Sequence, residues 1–416
     1  MKIRIDRNFL IKLIISISIF YALFAFNRIK ALGGLTVNER LVGNETVIYG
    51  VLIILIIPIL ISKKINISFL LYIFYILITG VYSVLFMKIS FVEVLISVFL
   101  ILIPLLYFLL VKSLNEPNIS KLMSILILFN AMYVLLAIFS VTNYNFLANL
   151  IGIKSIIDDE YRSSLMLGSS ITVSYYFIIS IPLITKYLYM HRSVLTKKRM
   201  ILGFLLLALN IIAVVILKSR AAFYTLIIIG AYYLLFLKGI KLKYRLLVII
   251  FLITVTIIFT RNYNLARLFV IFNDDSISGR FNVLNIGLDL IGENILFGTG
   301  LSKYFLRYPI SPFIQINGIT TLVDPHNLFI LYLSETGILG CIVLIPLILE
   351  LLRRIFQLNY FDKHNTIVFI ISTIMLSLGG SQLLNEINFS IIFMIYFSIL
   401  LNRRSKDCNE GIINNI

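Results

Sequence analysis

Residues 89–111 read ISFVEVLISVFLILIPLLYFLLV, an apolar run carrying one charge, Glu93. A helix that crosses a bilayer needs about 20 predominantly apolar residues, and this run supplies them. The same reading applied outward from it gives twelve spans, at 9–26, 47–61, 68–87, 89–111, 122–141, 169–189, 200–217, 220–237, 246–260, 326–349, 366–380 and 386–401. Pro58, Pro104, Pro182 and Pro346 fall inside spans. There they kink a helix without preventing insertion, since neighbouring helices re-satisfy the freed backbone groups. The expected fold class is all-α, a polytopic membrane protein with one transmembrane domain over residues 1–416. The first span follows the basic segment Met1–Arg7 and lacks a clear small-x-small cleavage site, so it is expected to be a retained anchor.

Composition agrees. The chain is 60% hydrophobic with a mean hydropathy of +1.03, whereas soluble domains are about half apolar. A net charge of +17 would suggest nucleic acid in a soluble chain. Here the basic residues sort by loop instead, and no nucleic-acid partner is expected. With the N-terminus inside, the inner segments hold Lys2, Arg4, Arg7, Lys63, Lys64, Lys112, Lys121, Arg192, Lys197, Lys198, Arg199, Lys238, Lys241, Lys243, Arg245, Arg353, Arg354, Lys363, Arg403, Arg404 and Lys406, which is 21 of the 36 lysines and arginines. This excess predicts both termini in the cytoplasm. The largest outer segment is then 261–325, between the ninth and tenth spans. On the outer side arginine outnumbers lysine (Arg28, Arg40, Arg162, Arg220, Arg261, Arg267, Arg280, Arg307). Arginine suits bidentate phosphate contact; the same residues also suit lipid headgroups and snorkelling.

The two cysteines, Cys341 and Cys408, predict no disulfide. The chain has no CxxC, HExxH or paired histidine spacing, and no G-x-x-x-x-G-K-[ST]. No metal site, cofactor or nucleotide-driven step is expected from these patterns.

Polar chemistry gathers in the large outer segment and just after it. Residues 278–300, SGRFNVLNIGLDLIGENILFGTG, read as an amphipathic helix followed by a glycine turn. Ser278 is the predicted N-cap, and Phe281, Leu284, Leu288 and Ile291 share one face by their spacing. Such a helix is expected to lie at the membrane surface. Arg280 in its first turn opposes the helix dipole, which points to a partner anion. Gly298 and Gly300 permit a turn with positive φ. Residues 324–340, DPHNLFILYLSETGILG, contain His326, the one histidine of three assigned to the outer side; His191 and His364 fall in inner loops. An imidazole at the mouth of a membrane helix serves either as a general base or as an interfacial residue with a polar tip. Asp324 reads as an ordinary helix-start acid. Glu335 is half a turn out of phase with His326 and is expected to meet an arginine or a neighbouring span. Gly337 and Gly340 are expected to permit close helix packing.

Taken in order, these features resemble the O-antigen ligase and O-antigen polymerase family of bacterial envelope glycosyltransferases. The resemblance rests on Ser219-Arg220 opening a span, Gly279-Arg280 through Gly298-Thr299-Gly300, His326-Asn327 opening a span, and Glu335-Thr336-Gly337-Ile338-Leu339-Gly340 behind it. Arg162, in YRSSLMLGSS, matches a further family pattern more weakly. The match covers residues 160–350; the first five spans match in hydropathy alone. The family's frequent Trp after the Gly-Arg and Pro before the Gly-x-Gly are absent, which bears on fine specificity rather than on ionisable groups.

The resemblance implies transfer of a glycan from undecaprenyl diphosphate to an acceptor sugar hydroxyl, at the outer face of the bacterial cytoplasmic membrane. His326 would be the general base, and Arg220, Arg280 and Arg162 would hold the diphosphate. Asn327, Glu335, Gly298 and Gly300 would support them. The bottom-up chemistry is consistent: a sugar hydroxyl needs a base, and a lipid diphosphate leaves well once its charge is neutralised. With no metal ligand set, arginines take that role, and direct attack inverts the anomeric centre. Expected partners are the lipid-linked oligosaccharide, the acceptor glycan, a flippase and a chain-length regulator. A polymerase of O-antigen or capsular repeat units is preferred over a ligase to lipid A core, because a loose motif match suits an enzyme whose substrates vary. The rival from another class is a lipid-linked oligosaccharide flippase. Transporters show internal repeats and midplane charges; here no repeat is evident, and Glu93 sits equally well at the outer mouth of its span.

Overall fold

The computed structural model describes residues 7–24, 36–37, 40–41, 66–142, 170–192, 196–236, 275–301, 315–316, 319–320, 327–378, 383 and 387–402. Helices account for nearly all of them: α1 (Arg7–Phe24), α2 (Ile67–Leu85), α3 (Phe91–Lys112), α4 (Glu116–Thr142), α5 (Ser170–Met190), α6 (Lys197–Ile216), α7 (Arg220–Phe236), α8 (Asp275–Glu293), α9 (Leu328–Phe356), α10 (Tyr360–Leu378) and α11 (Ile387–Leu400). The exceptions are two antiparallel pairs of two-residue strands, Thr36–Val37 with Arg40–Leu41 and Gln315–Ile316 with Ile319–Thr320. Seven of the helices are long and apolar enough to cross a membrane, and α7 and α11 are apolar but shorter. The protein is a polytopic, helical membrane protein.

Every predicted span coincides with a helix except 47–61 and 246–260, which lie outside the described residues. Three boundaries move. The span read as 122–141 begins at Glu116, and the one read as 366–380 begins at Tyr360, so His364 is helical rather than in a loop. The span read as 326–349 continues to Phe356, with Arg353 and Arg354 in its last turn. Hydropathy misses such ends because the flanking turns are polar while their backbone is still helical. Pro104, Pro182 and Pro346 all lie inside helices, as expected.

The centre of the bundle is α11, twelve of whose fourteen residues are buried. It packs most extensively on α3 and also on α5, α1 and α10. Lipid-like neighbours give no hydrophobic drive for helix association, so packing and interhelical hydrogen bonds must supply it. Asn130 of α4 and Asn210 of α6 exchange amide hydrogen bonds at 3.2 and 2.9 Å. Ser398 donates to Phe108 O at 2.9 Å, and Tyr233 to Asn365 Oδ1 at 2.7 Å. Phe74, Leu85, Ile201, Leu202, Leu235 and Leu349 are exposed on outward faces, as lipid-facing positions should be.

Alternate helix ends gather at two poles. At one, Lys186 near the end of α5 donates to Ile399 O, Leu400 O and Asn402 O at 3.1 Å each, capping the last turn of α11. The same ammonium lies 3.4 Å from Asp362 of α10, both residues being nearly inaccessible. The sequence reading missed this pair, placing Asp362 in a loop. A lysine inside an apolar run was the signal that some partner must exist, though not which. At the other pole, the C-terminal ends of α2 and α8 meet α9 around residues 334–339.

Candidate functional site

Helix α9 is not continuous. Asn327 caps it, its Oδ1 accepting from Phe329 N at 3.0 Å and Ile330 N at 3.2 Å. Ten residues on, Gly337 has φ 67° and ψ −173°, and the helix breaks. A break inside a membrane helix frees backbone groups that no water is present to satisfy. The segment after α8 satisfies them. Thr299 N donates to Ser334 O at 2.8 Å and Gly300 N to Glu335 O at 3.2 Å. In the reverse direction, Ile338 N donates to Ile295 O at 2.9 Å and Leu339 N to Leu296 O at 3.1 Å. The Thr299 hydroxyl adds a bond to Ser334 O at 3.0 Å, and Tyr75 of α2 donates to Thr336 O at 2.6 Å.

This interlock explains why its glycines must be glycines. Gly298 and Gly300 have φ 72° and 94°, so the positive φ expected of both is found. A Cβ on Gly298 would stand 2.6 Å from the Glu335 carbonyl, and one on Gly337 would stand 2.3 Å from Leu296 O. Gly337 therefore breaks the helix and admits another backbone, rather than packing helix against helix. Gly340 does serve packing, since its missing Cβ faces Thr336 and Tyr75.

Helix α8 differs from its predicted form in two ways. It starts at Asp275, so Ser278 is not its N-cap and Arg280 lies one and a half turns in. The dipole argument for an anion beside Arg280 thus falls away. The face toward α9 includes Gly287 and fully buried Leu290, while Leu288, on the predicted apolar face, is 48% exposed. In a membrane protein both protein-facing and lipid-facing sides are apolar, so periodicity alone does not tell which one packs.

The structure brings Gly298, Gly300 and Glu335 together, with the Glu335 side chain buried. Asn327 fixes the helix start directly after His326. His326 and Arg162 lie outside the described residues, as does the side chain of Arg280, whose backbone is helical in α8. Arg220 opens α7 behind buried Ser219, and α7 packs mainly on α10, with α5 and α6 beside it. It shares the interlock's pole. Glu93 is buried in the first turn of α3, at that same pole, in keeping with a position at the mouth of its span. His191 and His364 lie at the opposite pole, bonded to Ser120 and Tyr232. Among the described residues, no three His, Cys, Asp or Glu side chains converge to hold a metal.

Three residues of α2 that the sequence reading passed over touch the interlock. Tyr75 caps Thr336 O, Tyr82 accepts from Asn294 Nδ2 at 2.8 Å, and Ser83 Oγ accepts from Leu301 N at 2.8 Å. Their signal was present: Tyr75, Thr79, Tyr82 and Ser83 form a polar stripe at helical spacing within an apolar run.

Residues 203–345 match the family model of the O-antigen ligases. The match bears out the resemblance read from the motifs. This O-antigen ligase region starts within α6 and ends within α9. It takes in Ser219-Arg220, Gly279-Arg280, Gly298 to Gly300, His326-Asn327 and the break at Gly337, and it leaves out Arg162 and α1 to α5. No curated protein matches the chain. The match supports a place for this multi-pass membrane protein among the O-antigen ligase and polymerase proteins, without separating the two.

Proposed function

We propose that the protein is an O-antigen or capsular polysaccharide polymerase. It transfers the glycan of an undecaprenyl-diphosphate-linked donor to a hydroxyl of an acceptor sugar, without metal and with inversion. The observation that supports this most is the interlock. Helix α8, which carries Arg280, at its C-terminal end, and helix α9, which His326 directly precedes, at the break ten residues after Asn327, enter one set of backbone bonds. A general base and an anion-binding arginine need a fixed mutual geometry, because misplacement by about 1 Å costs around 10²-fold in rate. Two helices tied at one point supply such a frame.

His326 takes the proton from the attacking hydroxyl, and Arg220, Arg280 and Arg162 neutralise the departing diphosphate. Asn327, Glu335, Gly298 and Gly300 hold the frame. Orientation follows from charge. The pole with Lys186 carries Lys112, Lys121, Arg192, Lys197, Lys198, Arg199, Arg353, Arg354 and Lys363, against Lys88, Lys218 and Arg220 among the described side chains at the interlock pole. The positive-inside bias supports a cytoplasmic Lys186 pole, an interlock facing outward, and twelve spans with both termini inside.

The ligase reading is the second one, favoured by the description of the matched family. Product analysis separates the two. In a strain lacking this protein, surface glycan reduced to one repeat unit on its anchor is the expected result. Full-length chains accumulating on undecaprenyl diphosphate would instead establish a ligase. His326→Ala should abolish transfer at normal membrane levels, and full activity in that variant would overturn the assignment of the base.

A further inference from the structure

We propose that the outer half of α2, which lies outside the O-antigen ligase region, is a positioning element of the transfer site. Tyr75, Tyr82 and Ser83 hold the interlock from outside the matched segment. The inference rests on the transferase reading and adds residues to it.

Three hydrogen bonds carry the argument, and each lands on a different part of the interlock. Asn294 ends the helix that carries Arg280, and its amide donates to Tyr82 OH at 2.8 Å while its Oδ1 accepts from Phe297 N at 3.2 Å. Leu301 leaves the interlock toward the large loop, and its N–H is satisfied by Ser83 Oγ at 2.8 Å. Ser83 is fully buried and passes its own proton to Thr79 O at 2.6 Å. Thr336 is the last residue before the break, and its carbonyl takes the Tyr75 proton at 2.6 Å. Packing repeats the pattern. A Cβ on Gly300 would stand 2.8 Å from Ser83 Oγ, and the rings of Tyr82 and Phe297 lie 5.9 Å apart.

Backbone bonds tie α8 to α9, which itself packs on α2 and α10. Hydrogen bonds from α2 at Asn294, Leu301 and Thr336 brace the point where the two join. A third anchor matters to a reaction in which base and arginines must stay aligned while a large lipid-linked glycan leaves. Tyr75, Tyr82 and Ser83 touch no reacting atom in this account, so they are positioning residues.

The test is a transfer assay in vesicles, using undecaprenyl-diphosphate-linked glycan extracted from membranes of a strain lacking this protein. Ser83→Ala strips a buried N–H of its acceptor, and kcat should fall about tenfold with KM for the donor unchanged. Tyr82→Phe keeps the ring against Phe297 and removes only the hydroxyl, so it should lower kcat with no change in thermal unfolding. Asn294→Ala combined with Tyr82→Phe should be no slower than Asn294→Ala alone, since the Asn294–Tyr82 bond is already gone in that single variant. Ser68→Ala, a buried hydroxyl at the far end of the same helix, should turn over normally. His326→Ala is run alongside. If it is inactive while Ser83→Ala and Tyr82→Phe keep wild-type kcat, the positioning role is overturned and the transferase reading stands. If His326→Ala is also fully active, the assignment of the base fails; if the wild-type protein itself transfers no glycan in these vesicles, the transferase reading fails.

Discussion

Thr299 holds Ser334 twice through one oxygen, its backbone N–H at 2.8 Å and its hydroxyl at 3.0 Å both ending on the Ser334 carbonyl. That carbonyl belongs to the last turn before the break at Gly337 and has no intrahelical partner waiting beyond it. The middle residue of the Gly-x-Gly therefore acts as a cap on a helical turn whose Ser334 lies 35 residues later in the chain.

Gly337→Ala should damage the interlock severely. A positive φ with extended ψ, a region almost confined to glycine, costs an L-residue about 1–3 kcal/mol, and the new methyl would meet backbone at 2.3 Å, which cannot move aside as a side chain can. Transfer activity and thermal stability in detergent should both drop. Gly292→Ala is the matched control: its Cβ meets nothing within 4 Å, and helix propensity favours alanine by up to about 1 kcal/mol. An unfolding scan of the two variants decides the matter.

Lys186→Met should destabilise the protein by about 3–5 kcal/mol, the cost of leaving one partner of a buried pair uncompensated. Three carbonyls at the end of α11 lose their donor at the same time. Adding Asp362→Asn should recover part of the loss, because the stranded charge is then gone. Folded yield after extraction, compared across the single and double variants, measures this.

Arg280→Lys keeps the charge and removes the planar fork that binds phosphate bidentately. Transfer should fall by most of its rate with membrane levels unchanged, and wild-type turnover would leave only headgroup contact for this residue. Activity should survive chelation of divalent metals, since arginines rather than an ion neutralise the diphosphate in the proposed reaction.

A base must be neutral to accept a proton. With His326 in that role, kcat/KM should fall on the acid side as the base becomes protonated. A profile that stays flat to acid pH would exclude an imidazole base.

Much of this was legible in the sequence, and the failures share a cause. Spans such as 68–87 and 89–111 were found within a few residues because bilayer thickness sets a length that hydropathy reports. The break at Gly337 was not found, since an apolar run scores alike whether its helix is whole or broken. Glu335 and Gly337 inside that run were the available hint. The packing face of α8 was misassigned because lipid and protein neighbours select the same apolar residues, so Leu288 and Leu290 are indistinguishable by composition. Pairings such as Lys186 with Asp362, or Ser83 with Leu301, are set by tertiary approach across 176 and 218 positions. No local pattern records them.

Ile295 and Leu296 grip α9 through their carbonyls, while their side chains, with that of Phe297, stand 53%, 54% and 50% exposed. Holding and facing outward are thus divided between main chain and side chain at positions 295 and 296. Substitution there can recut the surface beside the proposed transfer site without removing the bonds that fix it. A randomised library at 295 and 296 should yield mostly folded proteins, and any shift in which glycans they accept would come from surface chemistry alone. A chain built this way can follow a changing substrate by point replacement, with no rearrangement of its frame.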